Sequence, residues 1–306
     1  MSVGLVFAST GGEKVLRSVR SLRRAEPNLS IYVAADRSSH TWNEGGGSSV
    51  LPNLLAMPNV FVREVENHAH INGTLNRAME WMKELGHTHA ALFHDDVVFS
   101  PLPENRGHIS EWFEHPLLER ASALSYSHME AFVPHDGCVE GQPGQWHESE
   151  AWWNAHDLES ESVWRKLLPG SKTPGYYAGE APDGGGVGKV AFDDWFIHCC
   201  VAYKPHVVLR LGPVGQIIGI EDWEAIGKFD EDKGLIYDMV FAVECVLKKR
   251  RPTWAIPNLP FLHLHNQSIG YRDGCFGVWS DVTAAFNSHY GYNIGEFWKE
   301  MGYPVT

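Results

Sequence analysis

Four short apolar runs in the first hundred residues, at 3–8, 31–35, 60–65 and 90–93, are separated by segments with helical periodicity. Strand-helix repetition of this kind confines a chain to a mainly parallel sheet flanked by helices, because parallel strands need a crossover between them. Each run is followed by polar or turn-forming residues, so each delivers a loop at its carboxyl end. Between the first two runs, Val15, Leu16, Val19 and Leu22 recur at helical spacing, with Arg17, Arg20 and Arg23 on other faces, which predicts an amphipathic helix. Before the fourth run, Leu75, Ala78, Met79, Met82 and Leu85 form a second stripe, with Asn72 or Thr74 as N-cap and Gly86 as C-cap.

Open sheets of this class bind ligands beyond the carboxyl ends of their strands, so Asp36, Asn72 and the Asp95-Asp96 pair are expected to gather in one place. After Ser100 the pattern loosens, and residues 134–190 are rich in Gly, Pro, Trp and acidic side chains with little periodicity, which reads as an irregular insertion. Order returns with apolar runs at 195–202 and 214–220. A helix follows, with Ile236, Met239, Val240, Val243 and Leu247 at matching spacing. In a last strand at 261–265, alternation puts His263 and His265 on one face with Phe261, and Leu262 and Leu264 on the other.

The chain of 306 residues is long enough for one two-lobed body or two domains. Its 43% hydrophobic and 21% charged residues are those of an ordinary globular protein. A net charge of −13, from 38 acidic and 25 basic residues, argues against general attraction to nucleic acid or anionic membranes. The tight basic cluster Lys248-Lys249-Arg250-Arg251 is read as a complement to the dipole at a helix end. No apolar run approaches the ~20 residues of a bilayer span and no signal-peptide pattern opens the chain, so the expected location is the cytoplasm. Cys138, Cys199, Cys200, Cys245 and Cys275 have neither zinc-ribbon nor redox-motif spacing and are read as buried thiols in a reducing compartment.

Two adjacent carboxylates directly after an apolar strand repel each other unless something positive meets them, and a hard divalent cation does this well. Asp95 and Asp96 are therefore candidates for a metal site, with a plain acidic turn or helix cap as the competing reading. The run 90–99, Ala-Ala-Leu-Phe-His-Asp-Asp-Val-Val-Phe, resembles the metal-binding DXD segment of glycosyltransferases with the GT-A fold. Residues 72–78, Asn-Gly-Thr-Leu-Asn-Arg-Ala, resemble the helix start that precedes that strand in family-two-like members, and Asp36 ends the second strand where they carry a nucleotide-contacting aspartate. Residues 226–231, Ile-Gly-Lys-Phe-Asp-Glu, are similar to the family's Gly-x-Phe-Asp-Glu turn, and residues 257–270 to the strand and loop that place a histidine on the metal.

The resemblance implies an α/β fold of GT-A type, a Rossmann-like mixed and mainly parallel sheet flanked by helices. Residues 1–100 would form the nucleotide-sugar-binding half, and 101–306 the acceptor-binding and catalytic half of the same compact domain, with the insertion on the acceptor side. It also implies a metal-dependent hexosyl transfer from a nucleoside diphosphate sugar, UDP-linked, to an acceptor hydroxyl, with inversion favoured. Ser9, Asp36, Asn72, Asn76 and Asp95 would bind the donor. His94 occupies the first acidic position of the motif, which makes Asp96 the first choice of metal ligand, with Asp95 on the ribose or a metal-bound water and His265 or His263 completing the shell. Asp238 would be the base, accepting the proton of the attacking hydroxyl, with Asp230, Glu231 and Asp232 as substitutes. The cation is Mn2+ or Mg2+, and a histidine ligand tilts the choice to manganese. The acceptor could be a glycan, a lipid-linked species, a protein or a modified base.

Two rival classes stay open at the level of sequence. A nucleotidyltransferase would share the sheet and the metal, but normally carries an arginine in the Gly-rich loop after its first strand, where this chain has Ser9-Thr10-Gly11-Gly12-Glu13-Lys14. A non-catalytic carbohydrate-binding protein would keep the pocket without turnover. Residues 183–190 lack the first glycine and the hydroxyl residue of a phosphate loop, and the pairs His68/His70 and His87/His89 lack the acidic partners of a zinc hydrolase, so linker and surface or capping roles are assigned. Trp146, Trp152, Trp153 and Trp164 are expected mainly to pack, with a sugar-stacking platform as the alternative.

Overall fold

The computed structural model describes residues 1–9, 11–36, 47–65, 70–126, 129–130, 159–162, 164, 202–203, 207–208, 215–231, 237–251, 253–256, 261–263 and 287–291. The chain runs β1 (Val3–Ser9), α1 (Glu13–Ala25), β2 (Ile31–Asp36), α2 (Gly47–Leu55), β3 (Val60–Val65), α3 (His70–Glu84), β4 (His89–Phe93) and β5 (Val97–Phe99). Then come α4 (His108–Trp112), β6 (Ala123–Tyr126), β7 (Met129–Glu130), β8 (Ala202–Tyr203), β9 (Val207–Val208) and β10 (Gly215–Gly219). The last described elements are α5 (Ile220–Ile226), α6 (Tyr237–Leu247), β11 (Thr253–Ile256) and β12 (Phe261–His263). The four expected N-terminal strands and two expected helices are all present, each within a few residues of its expected bounds.

The strand order is β3-β2-β1-β4-β10-β6-β11-β9-β8, with a second small sheet β5-β12-β7. Strands β3, β2, β1 and β4 are mutually parallel, β10 opposes both of its neighbours, and β11 runs parallel to β6. This is the mixed, mainly parallel sheet flanked by helices that the strand-helix pattern predicts. Strands from beyond residue 100 join the sheet built by the first hundred residues. The 134–190 insertion lies outside the described residues except at 159–162 and 164.

Both faces of the sheet are covered, so its inner strands read as unbroken apolar runs rather than alternating ones. Leu5, Phe7, Val33, Ala91 and Phe93 point to one core together with Val15, Leu16, Val19 and Leu22 of α1. Val6, Ala8, Ala34, Ala90 and Leu92 point to the other, with Leu75, Ala78, Met79 and Met82 of α3 and Trp223 of α5. Each buried Val, Leu, Phe or Met among these contributes roughly 1.5–3 kcal/mol relative to exposure.

Four local expectations are corrected. Asn72 and Thr74 do not cap α3, which starts earlier at His70; their side chains turn to Asp230 and Asp36 instead. Leu85 is 47% exposed because the helix has already ended, closed by Gly86 at φ 81 with His87 N–H donating to the Met82 carbonyl at 3.1 Å. The basic cluster after α6 does more than complement its own helix dipole. Arg250 Nε and Arg251 Nη2 each donate to a different oxygen of Asp222 at 2.6 Å, and Lys248 Nζ donates to the Ile226 carbonyl at the end of α5 at 2.6 Å. Two helices are thereby locked together. Cys245 of α6 is buried, as expected, and burial pushes its thiol up to about 12; the other cysteines lie outside the described residues. His89 is likewise a buried strand residue rather than a surface or capping one, and Trp164 is fully buried.

Candidate functional site

The chain leaves β1 outward through β2 to β3 and then returns to the other side of β1 as β4. The carboxyl ends of β1 and β4 therefore flank the point where strand order reverses, which is where open α/β sheets form a binding crevice. Ser9 is the last residue of β1, and His94, Asp95 and Asp96 form the turn from β4 to β5. Ser9 Oγ donates to Asp95 Oδ2 at 2.5 Å and accepts from the Gly11 N–H at 2.9 Å. Gly11 and Gly12 have φ of 104 and 86, a left-handed conformation that favours glycine and lets the chain turn straight into α1.

From the first turn of α1, Lys14 Nζ stands 3.3 Å from Asp95 Oδ1. Ser18 Oγ reaches the carbonyl oxygens of Asp95 (2.8 Å) and Val97 (2.6 Å), and Ser21 Oγ accepts from the Phe99 N–H at 3.0 Å. Beneath the turn, the Phe93 ring lies 5.4 Å from Phe99, 5.7 Å from Phe261 and 6.1 Å from Trp112. Polar pins above and an aromatic floor below fix the backbone of the turn. Asp95 and Asp96 are each 6% exposed and His94 is half-buried.

The strand β12 brings the histidine segment to the same turn. It pairs antiparallel with β5 in the register Phe261↔Phe99, Leu262↔Val98 and His263↔Val97, so the backbone of His263 is opposite the residue that follows Asp96. The side chain of His263, and His265 altogether, lie outside the described residues. Among the described residues no three His, Cys, Asp or Glu side chains form a group suited to a metal ion.

Asp36 ends β2, is buried, and accepts from Thr74 Oγ1 at 3.5 Å. Asn72 and Asn76, both buried on α3, dock the turn that follows α5. Asn72 Nδ2 donates to the Asp230 carbonyl at 2.6 Å. Asn76 Nδ2 donates to the Phe229 carbonyl (2.8 Å) and to Glu231 Oε1 (3.0 Å), while its Oδ1 accepts from Trp223 Nε1 (3.1 Å) and the Phe229 N–H (3.0 Å). An asparagine side chain offers two donors and about two acceptor positions. All of those at Asn76 are used within the protein, which makes it an anchor for the 227–231 turn. That turn, with Gly227 and Lys228 at φ 98 and 69, leads towards α6, whose second residue is Asp238. The Asp238 side chain is outside the described residues, as is Asp232; Asp230 and Glu231 are held by the asparagines as above.

The sequence reading thus names Ser9, Asp36, Asp95, Asp96, Asn72 and Asn76; the structure joins Ser9 to the Asp95-Asp96 turn, the asparagines to the 227–231 turn, and Asp36 to Thr74 of α3. It does not name Lys14, Ser18 or Ser21. A signal existed for Ser18, which shares the i, i+3, i+4, i+7 stripe of Val15, Val19 and Leu22, where a polar side chain must find a partner.

No family model matches the chain, and no curated protein matches it. Solved structures similar to it include S. aureus TarS 1–349, at 11% identity over 86% of this chain and 60% of that chain with a TM-score of 0.46. The same protein in complex with UDP-GlcNAc matches at 11% identity over 94% and 67%, TM-score 0.42, and in complex with UDP at 11% over 84% and 60%, TM-score 0.42. The chain thus spans about three fifths of the length of the first of these.

Proposed function

We propose that the chain is a glycosyltransferase of GT-A type that transfers a hexosyl group from a nucleoside diphosphate sugar, UDP-linked, to an acceptor hydroxyl with inversion, using a divalent cation. The observation that carries this reading is the convergence of Ser9, Asp36 and the Asp95-Asp96 turn on the carboxyl ends of β1, β2 and β4, at the point where strand order reverses. Such a crevice suits a nucleotide, and its buried carboxylates suit a cation that in turn meets a diphosphate.

The donor set fits a hard divalent ion in part. With His94 at the first acidic position of the motif, Asp96 at its last position is the proposed carboxylate ligand, with His263 or His265 from β12 and the segment after it. When bound, Mn2+ or Mg2+ would stabilise the charge that develops on the departing diphosphate. Asp36 and Asn72 are assigned to the nucleoside, Ser9 and Asn76 to positioning, and Asp238 at the start of α6 to accepting the acceptor's proton.

The test is a panel of nucleotide sugars assayed for binding and hydrolysis with manganese and with chelator. Asp96→Ala is expected to abolish metal-dependent donor binding, whereas Asp238→Asn should leave donor binding intact and lower turnover by a factor of at least ~10². Absence of binding and hydrolysis across the panel with manganese present would sink the proposal.

A further inference from the structure

Among the described residues, Asn59, Lys228 and Lys249 are the non-glycine residues with positive φ. Asparagine takes that conformation readily, and Lys249 stands just past the end of α6, where a left-handed residue is routine. Neither reason covers Lys228. Gly227, at φ 98, already closes α5, and the Lys228 N–H completes the closure by donating to the Trp223 carbonyl at 2.9 Å. A second left-handed residue, at φ 69 and with a long side chain, is held against its preference, and such strain persists only where the surroundings impose it.

The surroundings are one stripe of α3. Asn72, Asn76 and Glu80 follow each other at intervals of four, so they share a helix face, and each holds part of the 228–231 turn. Glu80 Oε1 accepts from Lys228 Nζ at 2.8 Å, Asn76 binds both backbone groups of Phe229, and Asn72 donates to the Asp230 carbonyl. Lys228 Nζ also stands 5.2 Å from the centre of the Trp223 ring, whose Nε1 donates to Asn76. Arg77 stands 3.3 Å from Glu80 and 3.7 Å from Glu231, and Lys83 meets Glu224 of α5. Burial works to raise the Glu80 carboxyl, but Lys228 and Arg77 outweigh it and hold the group below its usual range.

We propose that Lys228 is a positioning residue: clamped by Glu80 and Trp223 in the left-handed conformation, it sets the direction in which the chain leaves α5 and so aims the turn that leads to α6. The role assigned to it in turnover rests on the transferase reading above and deepens it. Lys228 and Glu80 stand on the flank of α3 away from the donor residues Ser9 and Asp95, so the clamp acts on turnover and not on donor affinity.

The experiment compares Glu80→Gln, Lys228→Gly and Lys228→Arg in the full chain. Backbone amide exchange, read by mass spectrometry over 223–231, needs no substrate. Glu80→Gln should let the Gly227, Lys228 and Phe229 amides exchange about three- to fivefold faster, the scale of one part-exposed ion pair. Lys228→Gly accepts the left-handed backbone without strain but has no side chain to clamp, so it too should exchange faster. Lys228→Arg keeps the charge and the ring contact and should exchange as the unaltered protein does. In assays with nucleotide sugars, Glu80→Gln and Lys228→Gly should leave UDP affinity and donor KM unchanged and lower kcat about tenfold, with Lys228→Arg near the original rate. Unchanged exchange in both weakened variants overturns the proposal, because the two asparagines then hold the turn unaided. Faster exchange with unaltered kcat reduces Lys228 to a structural brace and overturns its positioning role, as does a loss of UDP affinity. If the unaltered protein turns over no nucleotide sugar, the transferase reading falls, and the exchange result alone decides whether Lys228 clamps the turn.

Discussion

Two buried aspartate centres in this molecule invite comparison. At the α5–α6 contact, Asp222 is fully buried and both of its oxygens are gripped at 2.6 Å by separate arginines, with Arg250 also reaching Glu221 at 3.1 Å. At the β4–β5 turn, two carboxylates stand together, and Asp95 meets one ammonium at 3.3 Å. The first centre has more positive than negative charge directly on its carboxylate, with forked donors that match its shape. The second joins two adjacent carboxylates at the carboxyl end of β4, with an ammonium and a hydroxyl on Asp95. A carboxylate clamped between helices welds elements together, whereas carboxylates beyond the ends of parallel strands stand where open α/β sheets take their ligands. Residue type alone does not distinguish structural from functional acids; their place in the fold does.

Removing the carboxylate of Asp222 is the harshest way to break that comparison. Asp222→Ala strands two arginines, and because Arg250 and Arg251 reach solvent in part, the expected loss is ~2–3 kcal/mol, below the usual cost of opening a fully buried pair. Urea denaturation would read it. The variant that remains folded should bind Mn2+ and UDP as before; a loss of ligand affinity would mean the two centres are not separate. Asn76→Ala is expected to cost about 2 kcal/mol, since Trp223 Nε1 and the Phe229 N–H and carbonyl lose their partner. This change should blur the contrast, lowering turnover as well as stability, because the turn it anchors leads to α6 and Asp238.

The sheet was legible because its information is local. Apolar runs at 3–8, 31–35 and 90–93 are buried on both faces, with 60–65 at the part-exposed edge, and four parallel strands joined by helices leave few topologies to consider. The Asp95-Asp96 turn was legible for a related reason, since it follows directly on one of those strands. What the sequence could not supply were partners set by long-range packing. Lys14 and Asp95 are separated by about eighty residues, Asn76 and Phe229 by 153, and Asp222 and Arg250 by 28. Asn76 looked like a ligand contact because residues 72–78 resemble a donor-binding helix start; only the turn packed against it reveals that its hydrogen-bonding capacity is spent. Short strands such as β5, β6 and β11 went unforeseen because three or four residues carry too little periodicity to stand out.

The smallest expected effect sharpens the contrast through pH. His89 is 7% exposed at the start of β4, and burial, helped by the nearby Arg251 charge, lowers its pKa from the usual value of about 6.5. The folded protein therefore keeps His89 neutral where the unfolded chain would protonate it. Its contribution to stability is complete above the unfolded pKa and is lost as pH falls below about 6.5 towards the folded value. His89→Gln should flatten the slope of unfolding free energy between pH 7 and 5.5 by about 1 kcal/mol or less, with part of the slope remaining because burial also lowers His87 and His115. An unchanged slope would remove His89 from the account. Asp222 opposes the shift at His89, so Asp222→Ala, which removes that opposition while sparing Arg251, should make the slope steeper. Lys14→Met, at the other end of β4, should leave it alone, which would locate acid sensitivity around Asp222 and Arg251 rather than at the Asp95-Asp96 turn.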